Sequence, residues 1–205
     1  MITTVDLALA WLLSFPDPEL LADEKPVEQA VDGAPRAVRE PARRFLDAVA
    51  GLDLLERQQL YVDAFDFDRR ASLHLTAHTH GDRRQRGARL VGIKHTLRAA
   101  GLEPTDRELP DHLAVLLELR ALAPSVGAEL LRELRPALEI VRSRLHAKES
   151  PYAHVVDAVS ATLPRLTRAE RAAAERLAIE GPPGEQVGLE PFAPAEVMPV
   201  AGAAR

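Results

Sequence analysis

Residues Leu60 to Gly87 read LYVDAFDFDRRASLHLTAHTHGDRRQRG, and the fold class turns on the segment within them from Ser72 to His80, SLHLTAHTH. Leu73 and Leu75 alternate there with polar residues, the period of a half-buried strand, while His74 and His78 stand four apart, the repeat of a helix. A strand needs a partner, and no hairpin or strand-pair signal occurs elsewhere in the chain. The segment is therefore predicted to be helical and the protein all-α.

The flanks agree with that class. Asp53 and Glu56 have capping-box spacing ahead of an apolar run, which predicts a helix from Leu54 to about Phe65 with Leu60, Tyr61 and Phe65 on one side. On the other flank Gly81 stops the SLHLTAHTH helix, and Asp82 caps a helix over 83–100 that carries Leu90, Ile93 and Leu97 inside and stops at Gly101.

Further out, Thr4 is a candidate N-cap for a helix from Val5 to about Ser14, with Leu7, Ala10 and Trp11 inward and Phe15-Pro16 at its end. A helix over 35–50 contains Pro41, which must kink it or start a new one. Leu113, Leu116, Leu117 and Leu119 make a nearly continuous apolar surface, a core helix, up to Ala123 and Pro124. Ser125 caps a long segment interrupted by Pro136, and Ser150-Pro151 opens the next. Thr167 and Glu170 repeat the capping-box spacing before an Ala-rich helix ending at Gly181. Beyond it, residues 181–205 are too rich in Pro, Gly and Ala to pack, so a disordered tail is expected behind one helical domain over residues 1–180.

Composition narrows the chemistry. The chain has 26 basic against 31 acidic residues and a formal net charge of −5, which argues against a nucleic-acid partner, because neutralising phosphates calls for a basic excess. With no cysteine, disulfides, thiolate catalysis and Cys-based zinc sites are excluded. The apolar run MITTVDLALAWLLSF lacks a positive n-region, carries Asp6 and is too short to span a bilayer. A soluble, cytoplasmic protein without stable membrane insertion is expected. Nucleophile-elbow, phosphate-loop and dinucleotide motifs are all missing, so a binding protein with no cofactor of its own is expected rather than an enzyme.

Three groupings carry chemistry, and each has a plain alternative. His74, His78 and His80, with Asp82, have donors for a divalent metal and hence for a metal-dependent hydrolase, though no general-base Glu lies between the first two. The alternative is hydrogen-bonded histidines at a helix end. Arg83, Arg84, Arg86, Arg89, Lys94 and Arg98 share one predicted helix and suit an adaptor for an anionic partner, or a solvated face. Asp63, Asp66 and Asp68 interleave with Tyr61, Phe65 and Phe67, either as a groove for an apolar helix bearing basic residues or as caps beside core rings.

The run Tyr61–Arg70, the stretch from Ser72 through His80-Gly-Asp-Arg-Arg-Gln-Arg-Gly, then Arg98–Glu103 and Arg107-Glu-Leu-Pro-Asp-His-Leu together resemble the NarJ-type nitrate reductase assembly chaperones. These are also called the nitrate reductase delta subunit, within the TorD-like superfamily. The resemblance runs strongly from about Leu60 to Leu122 and is compatible in helix pattern from Thr3 to Glu180. It implies an all-α helical bundle that binds the N-terminal segment of the reductase catalytic (alpha) subunit and supports molybdenum cofactor insertion before membrane docking. The molybdenum cofactor delivery machinery is a second candidate partner. Matched position by position, it places Tyr61, Phe65, Asp66, Phe67 and Leu73 in the peptide groove, and His80, Gly81, Asp82 and Arg86 at the turn that shapes it. Pro110, Asp111 and His112 match the superfamily's Pro-x-Asp-His-like signature. Ala114 departs from the second proline that relatives often carry there.

Overall fold

The computed structural model describes residues 2–22, 24–80, 83–103 and 108–180, and those residues form twelve helices: α1 Ile2–Leu12, α2 Pro18–Ala22, α3 Glu24–Asp32, α4 Arg36–Val49, α5 Leu54–Phe65, α6 Thr76–Thr79, α7 Arg83–Ala99, α8 Leu113–Leu122, α9 Pro124–Glu133, α10 Arg135–Ala147, α11 Tyr152–Ala161 and α12 Arg168–Glu180. The all-α class is therefore correct. Gly81, Asp82 and the expected tail lie outside the described residues.

Local chemistry sets several boundaries. Asp53 Oδ1 accepts from Glu56 N at 2.9 Å and Asp53 N donates to Glu56 Oε2 at 2.9 Å, so the capping box that opens α5 is complete. Thr167 and Glu170 exchange the same pair of bonds ahead of α12. Gly101 takes φ +79°, a conformation open to glycine, and Leu102 N reaches back to Leu97 O at 3.0 Å to close α7. Pro136 divides α9 from α10, sitting in the first turn where its missing N–H leaves no bond unmade.

Other expectations are corrected. Thr4 lies within α1, which starts at Ile2, and α9 starts at Pro124 rather than after a Ser125 cap. Leu7 is half-exposed, whereas Ala10 is buried as expected and Trp11 packs against the core; Val5, Ala8, Leu9 and Leu12 complete the apolar buried face of α1. α4 runs through Pro41 without restarting, because Val38 and Ala42 on either side are both buried and hold the turn despite one lost backbone bond.

The core is built from helix pairs. α1 packs most extensively on α8, α4 on α11, and α8 on α9, with α10 bridging α11 and α12. Gly127 marks the tightest crossing: a Cβ there would lie 2.3 Å from Arg120 Cα, so only glycine lets α9 approach α8 this closely. Inside the α1–α8 contact, Asp6 receives Arg120 Nε at 2.7 Å and Arg120 Nη2 at 2.5 Å, and Nη2 also donates to Thr162 Oγ1 at 2.8 Å at the end of α11. No helix among the described residues is long and apolar enough to cross a membrane.

Candidate functional site: a buried aspartate hub and the groove beside it

SLHLTAHTH is not a helix throughout. Only Thr76–Thr79 is helical; before it the chain bends, with His74 in an isolated antiparallel bridge to His112 and Leu75 already in helical conformation at φ −64°, ψ −31°. Leu75 N donates to Asp111 O at 3.1 Å and Leu113 N to Leu73 O at 3.0 Å, so the alternation of Leu73 and Leu75 is a strand signal whose partner is the LPDHL turn. Both leucines face the core.

Asp111, wholly buried, ties this junction together. Its Oδ2 accepts from Thr76 N at 3.2 Å, from the Thr76 hydroxyl at 2.5 Å and from Arg86 Nη2 at 3.4 Å, while its Oδ1 lies 3.3 Å from His74 Nδ1. Arg86 Nε also donates to Thr76 Oγ1 at 3.2 Å, so α6, α7 and the turn before α8 meet on one carboxylate. Burial alone would push the Asp111 pKa up; the hydrogen bonds from His74 and Thr76, with the charges of His74 and Arg86, instead hold it at about 2. An ionised carboxylate only accepts, so His74 Nδ1 carries the proton in this contact. His112, edge-on to His74 at 5.2 Å between ring centroids, is buried with its Nδ1 unpartnered; burial above all lowers its pKa to about 4.

The other histidines are placed apart from this hub. His78 Nε2 donates to Ser72 O at 2.8 Å, and burial lowers its pKa. His80 Nδ1 lies 2.8 Å from the Thr79 hydroxyl. Among the described residues no group of three or more His, Asp or Glu side chains is placed to hold a metal ion. The arginines of α7 serve as struts where their contacts are resolved, Arg86 to Asp111 and Arg89 Nη2 to Glu133 Oε2 at 2.5 Å on α9.

The aromatic residues separate in the same way. Tyr61 and Phe65 pack with Tyr152 at 5.7 and 4.8 Å between ring centroids, and Phe45 completes the cluster at 4.7 Å from Tyr152. Burial, with the charges of Glu108 and Asp66, raises the Tyr61 pKa. Phe67 lies beyond the end of α5 and is 80% exposed. Asp66 is the exposed C-cap of α5, Asp63 holds Gln59, and Asp68 is paired with Arg144 of α10. Of the residues singled out in the sequence, the fold thus gathers Leu73, Arg86, Asp111 and His112 with neighbouring Pro110. It leaves Tyr61 and Phe65 inside the aromatic cluster, and Asp66 and Phe67 on the surface.

Against the hub runs a groove of about 240 Å³ between α7 and α8. Leu97, Leu102, Pro110, Val115, Leu119 and Leu122 supply its apolar surface, and among the described residues its charged lining is Glu103, Glu108 and Glu118. Val115, Glu118, Leu119 and Leu122 recur at helical spacing on one face of α8, whose other faces are taken by α1 and α9. Leu122 is 65% exposed. Apart from Pro110, sequence reasoning does not single these residues out as a site. A signal for them exists, since a helix apolar nearly all round has a face left over once its core contacts are made.

An all-helical scaffold offering an apolar, acid-lined groove defines a class suited to receiving a helical segment of another protein. Residues 31–157 match the family profile described as the nitrate reductase delta subunit, and the chain belongs to that family. The nitrate reductase molybdenum cofactor assembly chaperone NarJ of Escherichia coli (strain K12) is 35% identical over 150 residues, 71% of this chain and 64% of its own. The probable nitrate reductase molybdenum cofactor assembly chaperone NarJ of Bacillus subtilis (strain 168) is 33% identical over 164 residues, 78% of this chain and 88% of its own. The nitrate reductase-like protein NarX of Mycobacterium tuberculosis (strain ATCC 25618 / H37Rv) is 34% identical over 152 residues, 74% of this chain but only 23% of that protein. The chain thus spans less than two thirds of the Escherichia coli relative and most of the Bacillus subtilis one.

Proposed function

We propose that this protein is an assembly chaperone for a respiratory nitrate reductase. It binds the N-terminal segment of the catalytic subunit in the cytoplasm and holds that subunit ready for molybdenum cofactor insertion before it docks at the membrane. Its role is binding, not catalysis. The observation that carries the reading is the α7–α8 groove in a member of this family: apolar along α8, acidic in its described charged lining residues, and bounded by the Pro110-Asp111-His112 turn. An amphipathic helix would lay its apolar stripe on Leu102, Val115 and Leu122 with basic residues toward the glutamates. Asp111 acts at one remove, by fixing the turn and α7 relative to each other.

Calorimetric titration with a peptide of about 15 to 30 residues from the catalytic subunit's N-terminus tests this, a length suited to helix-in-groove recognition. A 1:1 complex is expected. Absence of both heat and affinity across that range rejects the reading.

A further inference from the structure

The three groove carboxylates are not equivalent. Glu103 Oε2 faces Arg98 Nε at 3.7 Å, and Glu108 Oε1 faces His74 Nε2 at 3.7 Å while accepting from Leu109 N at 2.9 Å. Glu118 stands on α8 between the groove's apolar side chains, and among the described residues no hydrogen bond or ion pair reaches it. The side chain is exposed at the groove, where neighbouring apolar surface takes part of its water and raises its pKa. An occupant that covers the groove would take away the rest of that water, and a carboxylate buried without a counter-charge is costly. A guanidinium or ammonium brought by an occupant would remove that cost and form a charge-assisted hydrogen bond.

Resting on the chaperone reading above, we infer that Glu118 is the specificity-determining residue of the α7–α8 groove, pairing with one lysine or arginine at the edge of the docked segment's apolar stripe. The position on α8 fixes what the partner must be. Val115 and Leu122, three residues before and four after Glu118, flank it on its own face, so the cation sits within one helical turn of the side chains that anchor the apolar stripe. A segment with the same apolar pattern but an acidic or neutral residue at that place leaves Glu118 desolvated and unpaired, and is rejected for that reason. Apolar contact supplies the attachment; Glu118 selects among apolar helices.

The test is a titration of a synthetic peptide carrying the first ~20 residues of the catalytic subunit against the full chain and three variants. Two are Glu118→Gln and Glu118→Lys. The third is a control, Asp47→Lys on the exposed face of α4, which makes the same change in net charge as Glu118→Lys. Glu118→Gln preserves shape and is expected to weaken binding about fivefold, and Glu118→Lys about thirtyfold, in the range of close interfacial charge pairs. Asp47→Lys is expected to stay within about twofold of the unaltered chain, the scale of a remote charge in salt. A series of peptides, each with one Lys or Arg changed to Glu, then locates the partner: one member binds the unaltered chain poorly and regains about tenfold affinity with Glu118→Lys. The inference is overturned if Glu118→Lys binds like the unaltered chain, if Asp47→Lys weakens binding as much, or if no reversed peptide recovers affinity. If the unaltered chain does not bind the original peptide at all, the chaperone reading fails instead. Circular dichroism confirms that each variant is folded.

Discussion

Asp6 and Asp111 are both removed from solvent, and they are held in opposite ways. Asp6 meets a single guanidinium fork-to-fork, Arg120 on α8, within a contact between long helices. Asp111 gathers donors from the bridged His74 segment, the first residue of α6 and Arg86 of α7, the last two sources each reaching it through one or two bonds. A rigid fork between packed helices is a staple, whereas a carboxylate shared by separate segments is a junction. What distinguishes core from site here is the number of independent pieces of chain each charge unites, not the depth of burial.

Breaking the staple has the largest expected effect. Asp6→Ala strands the Arg120 guanidinium in the core and is expected to lower stability by about 3–5 kcal/mol, measured by urea denaturation. The double variant Asp6→Leu, Arg120→Met should recover most of that loss, because an apolar pair removes both desolvated charges. A loss below about 1 kcal/mol for Asp6→Ala would mean that the fork is not structural.

Breaking the junction should cost less stability and more binding. His74 and Arg86 side chains are each 30% exposed, so water replaces part of what Asp111→Ala removes. About 1–3 kcal/mol is expected in the same denaturation assay, with a larger proportional loss of peptide affinity by calorimetry. Equal peptide affinity for Asp111→Ala and the unaltered chain would separate the hub from the groove.

Acid should loosen the junction in two steps. His112 has its pKa lowered from 6.5 to about 4 in the fold, so between those values the unfolded chain binds a proton that the folded chain refuses, and stability falls as pH drops from 6.5 to 4. Asp111 has its pKa lowered from 3.8 to about 2; its contribution is complete above 3.8 and is lost as pH falls toward 2. Thermal melts from pH 7 to 2 resolve the steps. His112→Asn should shrink the upper one, leaving the part due to His78, whose pKa burial also lowers. A pH-independent melting temperature between 6.5 and 4 would contradict it. The smallest effect belongs to Phe67→Ala, within about 0.5 kcal/mol because the ring is exposed, against about 3–5 kcal/mol for Phe65→Ala inside the aromatic cluster. A calorimetric melt of each variant measures the contrast.

What is legible in the sequence is what local chemistry decides. The capping boxes at Asp53 and Thr167, the glycine stop at Gly101 and the break at Pro136 each act within a few residues, and each lies where its pattern indicates. The bridged Leu73–Leu75 segment reads wrongly as helix because its partner is a turn, not an alternating run, and lies 37 residues away from His74 at Asp111. The role of Asp6 is hidden more deeply, with its partner 114 residues distant. Phe65 and Phe67 look alike in the sequence, yet α5 ends between them, which sends one ring inward and the other to solvent. The groove is half legible: the apolar surface of α8 is visible, but which face α1 and α9 leave uncovered depends on packing.

The bridge between His74 and His112 pins together two points of the chain, with α6 and α7 between them. That span contains α7, which gives the groove Leu97, and the residues after it that line the same side, while α8, the other wall, is clamped in the core between α1 and α9. Closing a loop of this size costs only slightly more when residues are added to it, by about 0.6 kcal/mol for a doubling of length. Residues can therefore be added to this segment at its turns at small entropic cost, while Ile93, Leu97 and the Arg86–Asp111 bond keep α7 seated on the bundle.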